Sequence, residues 1–140
     1  MNKTLVAFII WILLVVTIRE PPVLVAVKEK YRLLRQELIR TGRFKCIQHK
    51  VIITGMNGRA SNGDVGYNVN KGYEIFLCLK GDENAVMHVL LHELVHITVT
   101  EYDHSSKFWN NLKEIKDIAK QIGIYETISS QKFCNGTISD

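Results

Sequence analysis

The pentad His92-Glu93-Leu94-Val95-His96 constrains this chain more than any other feature. On an α-helix two imidazoles four residues apart share one face, because i and i+4 side chains lie one above the other. The flanking residues permit this. Asn84 to Leu91 contains neither Gly nor Pro, and Asp82 stands ahead of it as an N-cap, so a helix is expected over roughly Glu83 to Thr100. A face of that kind can hold one Zn²⁺ with Glu93 beside the open coordination position, the arrangement of a zinc hydrolase.

Two histidines leave the metal short of a ligand, since catalytic zinc usually takes three protein ligands and a water. The acidic and imidazole groups that follow are Glu101, Asp103, His104 and Glu114. A turn over Glu101-Tyr102-Asp103 can fold the chain back and return an imidazole, so His104 is the expected third ligand. Asp103 follows it, either as a ligand or as the acceptor for a ligand N–H, and Glu114 remains open as a glutamate alternative. The metzincin pattern is excluded, because Val99 and Tyr102 stand where that pattern needs Gly and His. His88, one turn before His92, rotates away from the metal face over the two turns to His96 and is expected to pack rather than ligate. His49 is expected at the surface.

Beyond His104, Ser105-Ser106-Lys107 opens a second helix in which Phe108, Leu112, Ile115, Ala119 and Ile122 recur at helical spacing until Gly123. Its stripe should clamp the turn bearing His104. Upstream, Gly72 to Leu79 is rich in β-formers and follows the turn-forming Ser61-Asn62-Gly63-Asp64; it reads as a strand beside the motif helix and as the edge that would hold an extended peptide. Val51 to Thr54 reads as its partner strand. Tyr125 and Tyr102 are both candidates to donate to a developing oxyanion.

The first residues are of another kind. Leu5 to Ile18 is an uninterrupted apolar run, which as a helix covers about 21 Å against a hydrocarbon core of about 30 Å. Leu24-Val25-Ala26 is a poor cleavage site, so residues 1–20 are expected to form an uncleaved hydrophobic membrane anchor and residues 21–140 the catalytic domain; secretion after signal cleavage is the alternative. Arg19, Lys28, Lys30, Arg32 and Arg35 outnumber Lys3 across the run, which places a single-pass protein's domain in the cytoplasm. Three cysteines, Cys46, Cys78 and Cys134, show no framework spacing and suggest free thiols in a reducing compartment. Residues 19–59 hold ten Lys/Arg against three Asp/Glu, whereas residues 60–140 hold seven against eleven. That basic segment, much of it on an expected helix over Val23 to Arg40, could meet anionic lipid or nucleic acid, or simply be solvated. No signal bears on oligomeric state.

Three blocks now carry a resemblance: Tyr67 to Leu79, Leu91 to His96, and His104-Ser105-Ser106-Lys107-Phe108-Trp109. Together they resemble the WLM-domain zinc metallopeptidases, which are similar to the SprT/Spartan group, and especially the small WLM-like proteins of large double-stranded DNA viruses. Gly123-Ile124-Tyr125 and Phe133 to Ile138 extend the likeness to the C-terminus. The resemblance implies His92, His96 and His104 as ligands and Glu93 as the catalytic residue. Members commonly have five residues between the second and third histidine where this chain has seven.

These readings converge on an α+β fold: a minimal zincin-like domain with a short β-sheet packed on the motif helix and a following helix, preceded by the hydrophobic anchor helix. The expected function is Zn²⁺-dependent cleavage of peptide bonds in a protein or peptide substrate, with Glu93 activating the water. Two other classes stay open, a catalytically inactive zinc-stabilised membrane or virion protein and a zinc hydrolase acting on a non-peptide bond.

Overall fold

In the computed structural model, which describes residues 2–17, 19–100 and 103–140, the elements run α1 (Lys3–Thr17), α2 (Pro22–Thr41), a 3₁₀ turn (Lys45–Ile47), β1 (Ile52–Met56), β2 (Gly66–Val69), β3 (Glu74–Cys78), α3 (Glu83–Ile97), α4 (Ser106–Gln121), β4 (Gln131–Phe133) and β5 (Gly136–Ile138). The helix carrying the pentad, α3, starts where expected: the Asp82 carboxylate accepts from the Ala85 N–H at 2.8 Å. Val86, Met87, Leu90, Leu91, Leu94 and Val95 bury nearly its whole circumference. A helix apolar on almost every side belongs in the interior, and the other elements are arranged around this one.

Helix α2 lays a single stripe on that core, with Leu24, Val27, Tyr31, Leu34 and Leu38 buried at alternating steps of three and four. Pro22 opens it in the first turn and Gly42, at φ 68°, closes it in the left-handed conformation. Helix α4 supplies the other wall through Phe108, Leu112, Ile115 and Ala119. Ser105 caps it, accepting from the Phe108 N–H, and its stripe and stop agree with the sequence pattern.

The three-stranded sheet has the order β1-β3-β2, with β1 parallel and β2 antiparallel to β3. This corrects the expected role of the Gly72–Leu79 segment. Its strand, β3, lies in the centre, paired on both sides, and the edge beside the pentad is β2. Fully buried Ile75, Leu77 and Cys78 suit a central strand, but a short apolar run does not reveal how many neighbours it has. Val51–Thr54 does provide the partner strand β1. The β2–β3 connection is a tight turn in which Asn70, Lys71 and Gly72 all take positive φ.

Two further expectations are corrected. Cys78 and Cys134 are joined in a disulfide across a sequence separation of 56, leaving only Cys46 free among the described cysteines. The β4–β5 hairpin makes this pairing by packing on the chain after β3, where the Cys134 N–H donates to the Lys80 carbonyl. The cysteines therefore no longer argue for a reducing compartment. At the other end, α1 has 15 residues with Phe8 and Trp11 more than half exposed, and no described helix is long and apolar enough to cross a membrane. Ile18, the end of the expected span, lies outside the described residues.

Five of the ten basic residues of segment 19–59 are paired, Lys28 with Glu20, Arg32 with Glu29 and Arg40 with Glu37 inside it, and Lys30 with Glu83 and Arg43 with Glu114 outside it. Pairs this exposed add little stability, but they lower the free positive charge available to an anionic surface.

Closing a loop of this size should make the disulfide worth about 2–4 kcal/mol. Replacing Cys78 and Cys134 together by Ser is expected to shift urea denaturation by that amount, and a reductant should reproduce the shift in the parent protein but not in the double variant.

Candidate metal centre

On α3, one turn apart, His92 and His96 bring their Nε2 atoms to 3.2 Å. His104 returns from the segment after α3 and brings its Nε2 to 3.3 Å from that of His96. Among the described residues these three form the group of side chains that could hold a metal ion, with ligand atoms all within 4.8 Å of one another. Asp103 is exposed and outside the group, and Glu114 is committed to Arg43. Glu101 and Tyr102 lie outside the described residues.

The spacing tests whether zinc fits. Tetrahedral ligands at a zinc–nitrogen distance of about 2.0–2.1 Å stand about 3.3–3.4 Å apart, close to the separations found. Neutral imidazoles have a lone pair to offer, and burial favours that form at two of them: desolvation, followed by the neighbouring imidazoles, lowers the His92 pKa to about 3 and moves that of His96 in the same direction. Three nitrogens aimed at one point would repel unless something positive joins them.

Phe108 is the platform beneath them. Its fully buried ring lies 5.0 Å from the His92 ring, 4.6 Å from His96 and 4.6 Å from His104, centroid to centroid. Trp109 adds a second ring 5.3 Å from His104. The chain between α3 and α4 is tied down from both sides. Lys71 donates to the Val99 and Thr100 carbonyls, and Asn111 donates to the Thr98 hydroxyl. The clamp expected of the second helix is therefore made by Phe108 and Asn111 together.

Glu93 lies against the opposite wall. Asn68 of β2 donates one amide to both the Glu93 carbonyl, at 2.8 Å, and its Oε2, at 3.0 Å. Burial raises the Glu93 pKa to about 7, against the lowering effect of the Asn68 hydrogen bond and with a further upward push from Asp64. Strand β2 comes this close because residue 66 is Gly: a Cβ there would stand 2.6 Å from Val89 Cγ1 and 3.4 Å from Glu93 Cγ. Gly66, Tyr67, Asn68 and Lys71 line a cleft of about 680 Å³ with Glu93 and the three histidines. None of these four was singled out from sequence. The signal available was the Asn70-Lys71-Gly72 turn, which marks a hairpin and so implies a strand before it.

Two other expectations resolve away from the cleft. The Tyr125 hydroxyl donates to Asp140 Oδ1 at 2.7 Å and lies 3.0 Å from His88 Nδ1, so its proton is not offered to the centre. His88 stays out of the ligand group, as its rotation along the helix implied. His49 is exposed.

The architecture is thus a mixed α+β domain in which a central helix, an edge strand and a following helix assemble a centre suited to a metal ion. The chain belongs to the WLM domain family, whose model matches residues 49–136. It is 32% identical over 77 residues to the uncharacterized protein 136R of Invertebrate iridescent virus 6, covering 49% of this chain and 43% of that protein. It is 38% identical over 69 residues to the uncharacterized protein R325 of Acanthamoeba polyphaga mimivirus, covering 44% and 35%. The match thus spans less than half the length of either viral relative. Among solved structures it is similar to Wss1 from Saccharomyces cerevisiae, with a TM-score of 0.54 and 24% identity over 69% of this chain and 76% of that one. The expected resemblance to WLM domains and to viral proteins is borne out.

Asp140 anchors the group behind the centre. Its burial would raise its pKa, but hydrogen bonds from Lys116, the Ile128 N–H and Tyr125 outweigh this and hold it at about 2, below the ordinary 3.8. A depressed carboxyl stabilises the fold above its unfolded pKa and loses that contribution as pH falls through the folded value. The window is therefore about pH 4 to 2. Asp140→Asn is expected to cost at most about 2 kcal/mol at pH 7, and less to the extent that solvent screens this partly exposed carboxylate, with the difference from the parent narrowing across that window in thermal melts.

Proposed function

We propose that this protein is a zinc-dependent endopeptidase that hydrolyses peptide bonds in protein substrates, with His92, His96 and His104 as zinc ligands and Glu93 as the acid–base residue. The observation that carries the reading is the convergence of three imidazole nitrogens beside one buried carboxylate in a cleft bordered by an edge strand. Membership of the WLM domain family and the likeness of fold to Wss1 support it. Bound zinc supplies a positive charge that acidifies a water and polarises the substrate carbonyl.

The chain's own groups then divide the work. Glu93 Oε2 is held by Asn68, and among the described residues Oε1 takes no hydrogen bond, so it is the oxygen free to receive the water's proton. A carboxyl with a pKa near neutrality can take that proton and give it to the departing amine. Strand β2 has its outer edge unpaired within the sheet, and an extended peptide added there would lie along Gly66 to Val69 with its backbone held in register. Burial holds the His92 pKa at about 3, which leaves that imidazole neutral and available as a ligand well below pH 7, and it lowers the His96 pKa in the same direction.

The catalytic unit in this reading is residues 21–140, and residues 1–20 serve attachment. Helix α1 is apolar and exposed around its circumference yet too short to span, so it inserts part-way into lipid or lies against an apolar partner. Flotation of the full chain with lipid vesicles, lost when Phe8 and Trp11 are both replaced by Ser, is the expected outcome.

The decisive experiment is elemental analysis of the dialysed protein together with peptide hydrolysis. About one zinc per chain is expected, weakened in His92→Ala and His104→Ala. Glu93→Gln should keep the zinc and lose about 10²–10⁴-fold in kcat. The assignment is falsified if Glu93→Gln hydrolyses peptides at the parent rate.

A further inference from the structure

A second cavity of about 270 Å³ adjoins the metal cleft, and the two share Asp64, Gly66, His92 and Glu93. It is bounded by the Asp64–Gly66 segment, by His88 and Val89 on the preceding turn of α3, and by Ile138 of β5. Val65, Val89 and Ile138 are apolar walls. Its polar groups, apart from those of the centre itself, are the Asp64 carboxylate and the His88 imidazole, and the orientation of that imidazole can be worked out from its partners.

The Asp140 carboxylate receives the Lys116 ammonium, the Ile128 N–H and the Tyr125 hydroxyl. The single Tyr125 proton is spent on Asp140, so toward His88 the phenol oxygen can only accept. His88 Nδ1 lies 3.0 Å from that oxygen and 3.5 Å from Asp140 Oδ1, and both neighbours need a proton from it. The proton therefore sits on Nδ1, leaving the lone pair on Nε2. Burial, followed by the Lys116 charge, lowers the His88 pKa against the opposing pull of Asp140. Nε2 has no hydrogen-bond partner among the described residues and is not among their fully buried unpaired atoms, and the ring that carries it lines the cavity. Its chemistry there is that of an acceptor.

We propose that this cavity is the pocket for a substrate side chain flanking the scissile bond, and that His88 Nε2 at its polar end, with Asp64 at its mouth, selects a side chain ending in a cationic hydrogen-bond donor. The proposal rests on the peptidase reading. A lysine or arginine side chain suits it because its methylenes would lie along Val65, Val89 and Ile138 while its head donates to Nε2 near a carboxylate. A glutamate would meet only acceptors and like charge. His88 is thereby a specificity residue, and Tyr125, Asp140 and Lys116 are positioning residues that act through it.

The test uses the full zinc-loaded chain and a series of dipeptide hydroxamates that differ only in carrying a lysine, arginine, leucine or glutamate side chain. Binding is read by competition, so the outcome does not require turnover. The parent protein is expected to bind the lysine and arginine compounds about tenfold more tightly than the leucine one, the size of one charge-assisted hydrogen bond, and the glutamate one least. His88→Phe should reverse the order in favour of leucine. Asp64→Asn, on an exposed loop away from the buried network, should narrow the lysine preference severalfold and serves if His88→Phe does not fold. Equal binding of all four by the parent, a leucine or glutamate preference, or a lysine preference unchanged in the folded variants overturns the pocket while leaving the metal centre standing. A protein without zinc that binds none of the four loses the peptidase reading, and the pocket's role falls with it.

Discussion

The packing of α3 against α4 through Phe108 is the interaction on which the centre depends. Three imidazoles can be held with their nitrogens within 4.8 Å, and at 3.2 and 3.3 Å from His96 to the other two, only if something rigid fixes their rings, and the buried Phe108 ring touches all three. The same burial, with the neighbouring imidazoles, lowers the pKa of His92 and of His96, since charging a desolvated imidazole beside another is doubly unfavourable. Two properties a metal site needs, fixed geometry and neutral ligands, thus come from one hydrophobic contact. His104 is the exception that tests the idea. It is exposed and lies after a segment outside any helix, and it is held by the Phe108 and Trp109 rings and by the hydrogen bonds of Lys71 and Asn111 to the chain that leads to it.

The second constraint acts from the sheet. Glu93 is buried, and a buried carboxyl needs a partner to hold any particular orientation. Asn68 provides one, but only because Gly66 lets β2 approach α3 where any larger residue would collide with Val89. Under the peptidase proposal the edge strand has two functions that cannot be separated: its side chain at 68 orients the carboxylate, and its outer edge would offer register to an extended peptide. Moving the strand outward for one would spoil the other.

What could be read from the sequence divides along local and non-local lines. Helices α3 and α4, their caps at Asp82 and Ser105, and the grouping of His92, His96 and His104 follow from spacing along one chain segment, and the structure brings these side chains together. Which strand stands at the edge does not follow, because β3 and β2 differ in neighbours rather than in pattern. The Cys78–Cys134 bond and the Tyr125–Asp140–His88 chain join residues far apart in sequence, through a C-terminal hairpin whose three-residue strands are too short to show alternation. Tyr125 illustrates the consequence: a tyrosine near the centre suggests a catalytic donor until its proton is seen to be taken.

That hairpin links the two cavities to the rest of the molecule. Arg59 donates to the Cys134 carbonyl and to the Gly63 carbonyl, so it joins the hairpin to the loop that bears Asp64 and Val65. The approach is close enough that a Cβ at Gly136 would collide with the Arg59 guanidinium, which gives that glycine its reason. The disulfide fastens the same hairpin to the end of β3, and Asp140, just beyond β5, fastens it to α4 through Lys116 and to the Ile128 backbone. Of the cavity walls outside α3, Ile138 belongs to the hairpin and the Asp64 loop is tied to it through Arg59, whereas Val65 and Gly66 are held by β3. The three histidines and Glu93 come from the α3–α4 region, whereas the cavity beside them also draws a wall from the 131–140 hairpin, so the proposed chemistry and the proposed selectivity rest on different parts of the chain.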